Sequence, residues 1–431
     1  MSNLSLRCFC FNFRWNIVFN GFRSAADVDL IHILPVSGTL HCPGTDTSQW
    51  FTDDLHYLNQ GPYDNATHLM DAYQRDTIRK VQLEKGFRDT VYDRVFPKRD
   101  TRMPLRENAD IHGPRTYAPG GPRYTVDGTH VKWMGWSFDI SGNQIRGPAL
   151  FDVKFKNERI LYELAVNDIA LNYAVDSHAQ NNIIYADATY GIMGGMTPST
   201  VMKGIDCPDQ GTVLQTAFWW HPEQNPHNMS SVCIFEADGQ EALWRHVGTT
   251  FEAGLRNRFL VVRVPVVIGN YDYTFEFNFF LDGKIYSFAK ASGYIQASFW
   301  DEGSPLWTDN IHQPFGYRVG DYMTGPIHDH MFGFKVDMDI IHQNNSFKVI
   351  KWKAGPQLDA IKSQNPSITT KPAYFIYNET RYIEWETMET EYGIQAGDMP
   401  DQQFWLVVNE QEKNKWGVER GYQIAPLATG K

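Results

Sequence analysis

The sequence predicts a mainly β protein whose larger part is a large antiparallel β-sandwich, preceded by a small α+β domain. From residue 113 onward, short runs rich in β-branched and aromatic residues are separated by glycine, proline, asparagine and aspartate, the spacing of sandwich strands and their turns. Aromatic residues make up 14% of the chain and glycine occurs 34 times, as in large sheets with many turns. A length of 431 residues indicates two or three domains.

Three segments follow from these patterns. Residues 1–29 are a leader of unassigned role, because their aromatic run is interrupted by asparagine and arginine and matches a signal peptide poorly. Residues 30–105 are predicted to form the small α+β domain, which ends in a charged, proline-containing linker. Residues 106–431 are predicted to form the sandwich.

One helix is expected in the small domain. Leu69, Met70 and Tyr73 recur at helical spacing, and Asp64 or Asn65 can cap the helix that they define. Asn65 also begins a glycosylation sequon, so the cap and the glycan site are competing interpretations.

Composition and charge exclude some classes of function. A net charge of −11 without a basic cluster argues against a nucleic-acid partner, and no apolar run is long enough to span a bilayer. Cys207 and Cys233 flank a segment with its own turn residues and could close a short loop. Together with five N-x-S/T sequons, this favours the secretory pathway and an extracellular or cell-surface location. The sequons are at Asn3, Asn65, Asn228, Asn344 (Asn344-Asn345-Ser346) and Asn378.

The strongest strand signal runs from residue 263 to residue 279. With period two, one face carries an aromatic row and the other carries polar residues. The aromatic row consists of Tyr271, Tyr273, Phe275, Phe277 and Phe279. The local pattern alone favours plain core packing for Tyr271.

The motif Asn270-Tyr271-Asp272-Tyr273 resembles the cofactor segment of the copper amine oxidases. Further motifs of that family follow one another in the same order over residues 110–427. In that family the tyrosine after asparagine is oxidised in place to topaquinone. The resemblance therefore implies that Tyr271 is the topaquinone precursor, which forms a Schiff base with the amine. Asn270 and Asp272 are expected to restrict the orientation of its ring.

A second motif places an aspartate among apolar and small residues, in Tyr185-Ala-Asp187. By position, the resemblance implies that Asp187 is the catalytic base and proton acceptor, and that Tyr185 is the gate of the substrate channel. It also implies that the Tyr173 hydroxyl holds the quinone oxygen. The local alternatives stay open: Asp187 as a turn residue near Gly191, and Tyr173 as a core aromatic.

The third motif is His328-Asp-His330. Residues two apart in a strand share a face, so both imidazoles can reach one ion, although exposed strand histidines are common. The resemblance implies two of three ligands to Cu(II), which suits imidazole. Asp337 and Asp339 fall on the opposite face, where they would supply half of a Ca²⁺ site in the family or act as solvated carboxylates.

The resemblance also pairs Cys207 with Cys233 in a disulfide. No histidine follows His342, so the family's third copper ligand is missing from this chain. The expectation is a fragment, a truncated gene product or a decayed paralogue. Expressed alone, such a chain should bind copper weakly and contain little topaquinone.

The implied reaction is the oxidative deamination of a primary amine by dioxygen to aldehyde, ammonia and hydrogen peroxide, with a homodimer as the implied assembly. The alternative is a catalytically inactive β-sandwich that acts as an extracellular binding protein. The missing histidine favours the alternative, whereas the joint presence of the tyrosine, aspartate and histidine motifs favours the enzyme.

Overall fold

A computed structural model gives the structure of the chain. It describes residues 13–20, 33–57, 60–80, 117–143, 147–174, 183–187, 201–218, 225–268, 271–293, 298–299, 312–313, 316–320, 323–372, 378–390 and 403–425. Asn270 of the predicted cofactor segment and the sequon at Asn3 lie outside these residues. Among the residues described, no helix is long and apolar enough to cross a membrane.

The protein is built mainly from antiparallel strands. In chain order the strands are β1 (Phe13–Asn20), β2 (Ile33–Cys42), β3 (Phe51–Tyr57), β4 (Gln60–Tyr63), β5 (Tyr124–Asp127), β6 (His130–Trp133), β7 (Trp136–Asn143), β8 (Gly147–Phe155), β9 (Glu158–Ala174), β10 (Ile183–Asp187), β11 (Thr212–Phe218), β12 (His227–Val247), β13 (Glu252–Ile268), β14 (Tyr271–Phe280), β15 (Ile285–Gly293), β16 (Ser298–Phe299), β17 (His312–Gln313), β18 (Gly316–Gly320), β19 (Met323–Met338), β20 (Ser346–Pro356), β21 (Glu379–Met388), β22 (Gln403–Lys413) and β23 (Glu419–Ile424). The helices are α1 (Ala66–Gln74), α2 (Gln357–Gln364) and a 3₁₀ turn at Thr47–Gln49.

The small N-terminal sheet has the order β1-β2-β3-β4 and packs against α1. The Asn65 side chain accepts a hydrogen bond from the His68 amide, which confirms the cap interpretation. Leu69 is the buried residue of α1, whereas Met70 and Tyr73 are exposed. The apolar face that α1 packs against the sheet is therefore narrower than the sequence pattern predicts.

Strand β1 lies inside the predicted leader and pairs with β2. Its sequence, FRWNIVFN, explains the difference from the prediction. Most of the asparagine and arginine residues that spoil a signal peptide alternate with aromatic and apolar residues at period two, which is the pattern of a strand.

Two large sheets form the sandwich. The ten-stranded sheet has the order β17-β18-β19-β9-β8-β7-β6-β5, with β10 paired to β9 and β16 paired to β19. The five-stranded sheet runs β11-β12-β13-β14-β15. Buried residues from both sheets form one hydrophobic core, and the Trp136 indole donates a hydrogen bond to the Phe280 carbonyl at 2.7 Å across it. The predicted β-sandwich is therefore confirmed. A fourth sheet, β21-β20-β22-β23, follows it in the chain.

The aromatic row of β14 faces this core, as its period predicts. Tyr271 is 6% exposed and the other four members are 0% exposed. The polar row is partly buried as well, because Glu276 is 3% exposed. Its carboxylate is neutralised by the Arg263 guanidinium at 2.8 Å and the Lys290 ammonium at 2.9 Å.

Cys207 and Cys233 form a disulfide with a Cα–Cα distance of 5.8 Å, which confirms the predicted pair. Both lie in a small apolar cluster with Val201, Phe235 and Val261 on the outer face of the five-stranded sheet. Cys42 is a buried thiol in the small N-terminal sheet.

Candidate active site

Two strands from opposite sheets bring tyrosines and histidines together. The Tyr271 hydroxyl of β14 lies 3.2 Å from Nε2 of His328 in β19. The Tyr273 hydroxyl lies 2.7 Å from Nδ1 of His330. From β9, the Tyr173 hydroxyl donates a hydrogen bond to the Tyr271 hydroxyl at 2.9 Å. These five side chains are called the tyrosine–histidine cluster below.

Strand pairing explains this arrangement. Tyr173 lies directly opposite His328 in the β9–β19 ladder, and directly opposite residues share a face of the sheet. The Tyr173 ring stacks on the His328 ring with a centroid distance of 5.0 Å and an interplanar angle of 17°. The centroids of His328 and His330 are 4.8 Å apart, as expected for residues two apart on one face.

Burial sets the protonation of the cluster. It raises the pKa of Tyr173, with the hydrogen bond to Tyr271 adding to the shift, and it raises the pKa of Tyr273. Both hydroxyls therefore keep their protons at neutral pH. Burial lowers the pKa of His330 to about 4, and the neighbouring His328 adds to this effect. His330 is consequently neutral, with one ring nitrogen carrying a lone pair.

The donors of the cluster fit a copper ion. Imidazole nitrogens suit Cu(II), and phenol oxygens lie beside them. Within the described part of the chain, no three histidine, cysteine, aspartate or glutamate side chains are grouped to hold a metal, so His328 and His330 are the two protein donors that this part supplies.

Asp187 and Tyr185 lie on β10, at the other side of β9 from the histidines. In the β9–β10 ladder Asp187 is opposite Asp168 and Tyr185 is opposite Ala170. Tyr173 and Leu171, which oppose the two histidines in the β9–β19 ladder, alternate with these positions. The register gives only this backbone pairing, and the roles of Asp187 and Tyr185 stay predictions.

The two predicted calcium carboxylates have different surroundings. Asp337 lies opposite Glu163 in the ladder, on the face away from His328 and His330, as parity predicts. Asp339 follows the end of β19, is 6% exposed and forms an ion pair with Arg159 at 3.3 Å. A guanidinium already neutralises Asp339, and the calcium site stays a prediction.

Sequence reasoning missed the role of Tyr273, which it assigned to the core row only. The sequence did contain a signal for this contact. Tyr271 and Tyr273 are two residues apart, as are His328 and His330. Two strands that bring the first tyrosine to the first histidine therefore also bring the second tyrosine to the second histidine. Both tyrosine–histidine pairs are separated by 57 positions in the sequence.

The family description "Copper amine oxidase, enzyme domain" matches residues 125–431. The chain belongs to the copper amine oxidase family. A copper amine oxidase of Bipolaris victoriae is 31% identical over 420 residues, which are 96% of this chain and 55% of that protein. The copper-containing diamine oxidase of Homo sapiens is 27% identical over 393 residues, which are 88% of this chain and 49% of that protein.

Solved copper amine oxidase structures share the fold. The lysyl oxidase of Pichia pastoris superposes with a TM-score of 0.77 and 29% identity, covering 94% of this chain and 52% of that one. The amine oxidase of Aspergillus nidulans superposes with a TM-score of 0.76 and 27% identity, covering 97% and 55%. This copper amine oxidase chain thus spans about half the length of the relatives that it matches.

Proposed function

We propose that this chain carries the active site of a copper- and topaquinone-dependent primary-amine oxidase. The reaction converts a primary amine, dioxygen and water into an aldehyde, ammonia and hydrogen peroxide. The observation that supports it is the position of Tyr271, whose hydroxyl lies between the Tyr173 hydroxyl at 2.9 Å and the His328 imidazole at 3.2 Å. A tyrosine held against two imidazoles is the arrangement that copper-dependent oxidation of its ring needs.

Each residue of the cluster has a task in this proposal. His328 and His330 are the protein ligands that hold copper. When bound, copper and the quinone formed from Tyr271 supply the electrophilic carbonyl and the two-electron acceptor that ordinary side chains lack. Tyr173 fixes the oxygen of Tyr271 by its hydrogen bond, and the burial of both rings keeps bulk water away from them.

The remaining roles come from family position. Asp187 is proposed to accept the proton from the α-carbon of the amine, and Tyr185 to gate the channel. Asn270 is proposed to limit rotation of the Tyr271 ring from the preceding position. For Asp187 to act, the strand β10 that carries it must present the carboxylate to the cluster.

The proposed setting of the enzyme is a homodimer on the cell surface or outside the cell. The disulfide supports an oxidising compartment. A calcium ion at Asp337 and Asp339 belongs to the same proposal, and it requires that Arg159 release Asp339.

The test is to load the purified chain with copper in air and to titrate it with phenylhydrazine, which traps a quinone as a coloured adduct. We expect a small, substoichiometric adduct, consistent with the weak copper binding expected of the chain alone, that depends on copper, is absent from Tyr271→Phe and is further reduced in His328→Ala. Tyr286→Phe, which removes a hydroxyl from the neighbouring strand β15, is the matched control and should give the wild-type yield.

Two outcomes would contradict the proposal. An adduct that persists in Tyr271→Phe would place the quinone elsewhere. Copper binding without any adduct, in wild type and control alike, would favour the inactive binding protein. Asp187→Asn tests the proposed base independently of the cofactor. This variant should still form the phenylhydrazine adduct, but its amine turnover should be slower by about 10²-fold or more.

A further inference from the structure

Tyr273 contacts the second histidine of the cluster and has no role in the chemistry described so far. It follows Tyr271 by two residues on β14 and is 0% exposed. Its ring packs edge-on against Phe332, with a centroid distance of 5.3 Å and an interplanar angle of 76°. The ring is thus held in one place, and its hydroxyl is directed at Nδ1 of His330 at 2.7 Å.

This contact divides the two nitrogens of His330 between two tasks. With Nδ1 engaged by a hydroxyl, Nε2 is the nitrogen that remains for a metal ion. An imidazole that donates its Nε2 lone pair carries its proton on Nδ1, and the Tyr273 oxygen is placed to accept that proton's hydrogen bond. A flip of the histidine ring would break this bond, and a metal ion on Nε2 leaves Nδ1–H as the donor to the Tyr273 oxygen.

The two tyrosines of β14 therefore differ in what they do to the histidines. Tyr271 contacts Nε2 of His328, whereas Tyr273 contacts Nδ1 of His330. The Tyr271 hydroxyl is next to Nε2 of His328, the nitrogen that a metal ion would bind. The Tyr273 hydroxyl is next to Nδ1 of His330, the ring nitrogen that would not bind the metal. Outer partners of this second kind raise ligand basicity and fix ring orientation.

We propose that Tyr273 is a positioning residue that holds His330 in the Nδ1–H tautomer and so presents Nε2 to the metal. The proposal rests on the proposed function in one respect, namely that His328 and His330 hold copper. It goes beyond that function by assigning to Tyr273 the choice of ligating nitrogen.

The test uses Tyr273→Phe, which keeps the ring and its packing but removes the hydroxyl. Copper affinity is measured by competition with a chelator, and the copper site is examined by electron paramagnetic resonance. We expect Tyr273→Phe to weaken copper binding by about 10- to 100-fold and to change the copper hyperfine splitting. Tyr286→Phe is the matched control, because it removes a tyrosine hydroxyl that lies on β15 and outside the cluster, and it should stay within about 3-fold of wild type.

A second readout does not depend on copper chemistry. In protein labelled with ¹⁵N at histidine and loaded with Zn²⁺, which is diamagnetic, His330 should show a slowly exchanging Nδ1–H proton. This signal should disappear or exchange rapidly in Tyr273→Phe and persist in Tyr286→Phe.

The outcomes separate the two hypotheses. Wild-type copper affinity and an unchanged spectrum in Tyr273→Phe would overturn the role of Tyr273 and leave the proposed function intact. If copper affinity fell equally in Tyr273→Phe and in the control variant, Tyr273 would contribute only packing, and its proposed role would also be overturned. Copper binding that survives His328→Ala combined with His330→Ala would overturn the proposed metal site, and the role of Tyr273 with it.

Discussion

The hydroxyl of Tyr173 donates to the hydroxyl of Tyr271 at 2.9 Å, although the two residues are 98 positions apart and belong to different sheets. The bond joins the two layers of the sandwich at the point where the chemistry is proposed. Because both hydroxyls are removed from bulk water, each depends on the other for part of its hydrogen bonding.

Tyr173→Phe should lower the free energy of unfolding by about 1 kcal/mol, because it removes the donor and leaves the Tyr271 oxygen with one partner fewer. Urea denaturation followed by circular dichroism measures the change. Tyr162→Phe is the control, since Tyr162 lies on the same strand and is 49% exposed. Equal midpoints for the two variants would mean that the bond contributes nothing to stability.

Removing the disulfide should cost more than removing a hydrogen bond. The Cys207–Cys233 link closes a loop with a sequence separation of 26, for which the loss of chain entropy in the unfolded state gives about 3 kcal/mol. We expect the variant with both cysteines changed to alanine to unfold at a correspondingly lower denaturant concentration. Peptide mapping without reduction should show one linked pair in the wild type, and free thiols at both positions would contradict the assignment.

Asp152 should make stability depend on pH. Burial acts to raise its pKa, but the hydrogen bonds from Lys154 and Arg159 outweigh it and hold the pKa below the ordinary 3.8. A lowered pKa in the folded state gives stability that is present above pH 3.8 and is lost as the pH falls through the folded value.

Asp152→Asn should therefore destabilise the fold at pH 7 by no more than about 1 kcal/mol, since the ion pairs are partly solvated. The difference from wild type should begin to shrink as the pH falls below 3.8 and should vanish once the pH is below the lowered pKa of the folded state. Asparagine suits the test because Asp152 has a φ of +48°, which asparagine tolerates better than most residues. Denaturation at pH 7, 5 and 3 gives the profile, and a constant difference across this range would exclude the electrostatic explanation.

The sequons should differ in glycan occupancy when the chain is expressed through a secretory pathway. Asn228, Asn344 and Asn378 are exposed, and Asn65 is exposed while its oxygen caps α1. Asn345, the middle residue of the sequon at Asn344, accepts a hydrogen bond from the Ile340 amide and donates one to the His342 carbonyl at 2.7 Å. We expect Asn344 to be less occupied than Asn228 and Asn378, because these hydrogen bonds hold its sequon in a turn.

Mass spectrometry of tryptic peptides before and after enzymatic deglycosylation measures each site. Asn228→Gln and Asn378→Gln should each lower the glycoprotein mass by one glycan, and Asn344→Gln should lower it by less on average. Occupancy of Asn344 equal to that of Asn228 and Asn378 would show that the turn at residues 340–345 does not limit glycosylation.

The tertiary structure decided which aromatic residue meets which histidine. A strand period assigns residues to faces but does not identify the strand across the core, so the pairing of Tyr273 with His330 was invisible in the pattern. In the β9–β19 ladder, β9 carries an extra residue, Asn167, opposite the step from Gly333 to Phe334, and a second, Tyr162, opposite the step from Asp337 to Met338. Such a bulge shifts every face beyond it, and no local pattern announced it.

The sequence by itself determined the elements whose signals are local. The period of two in β14 placed its aromatic row in the core, and the spacing of His328 and His330 placed both imidazoles on one face. The Asn65 cap was equally local. The sequence alone did not determine long-range partners. Arg159 and Asp339 are 180 positions apart, and only the folded chain brings the guanidinium to the carboxylate. Period and propensity act over a few residues, whereas such contacts depend on how whole sheets pack.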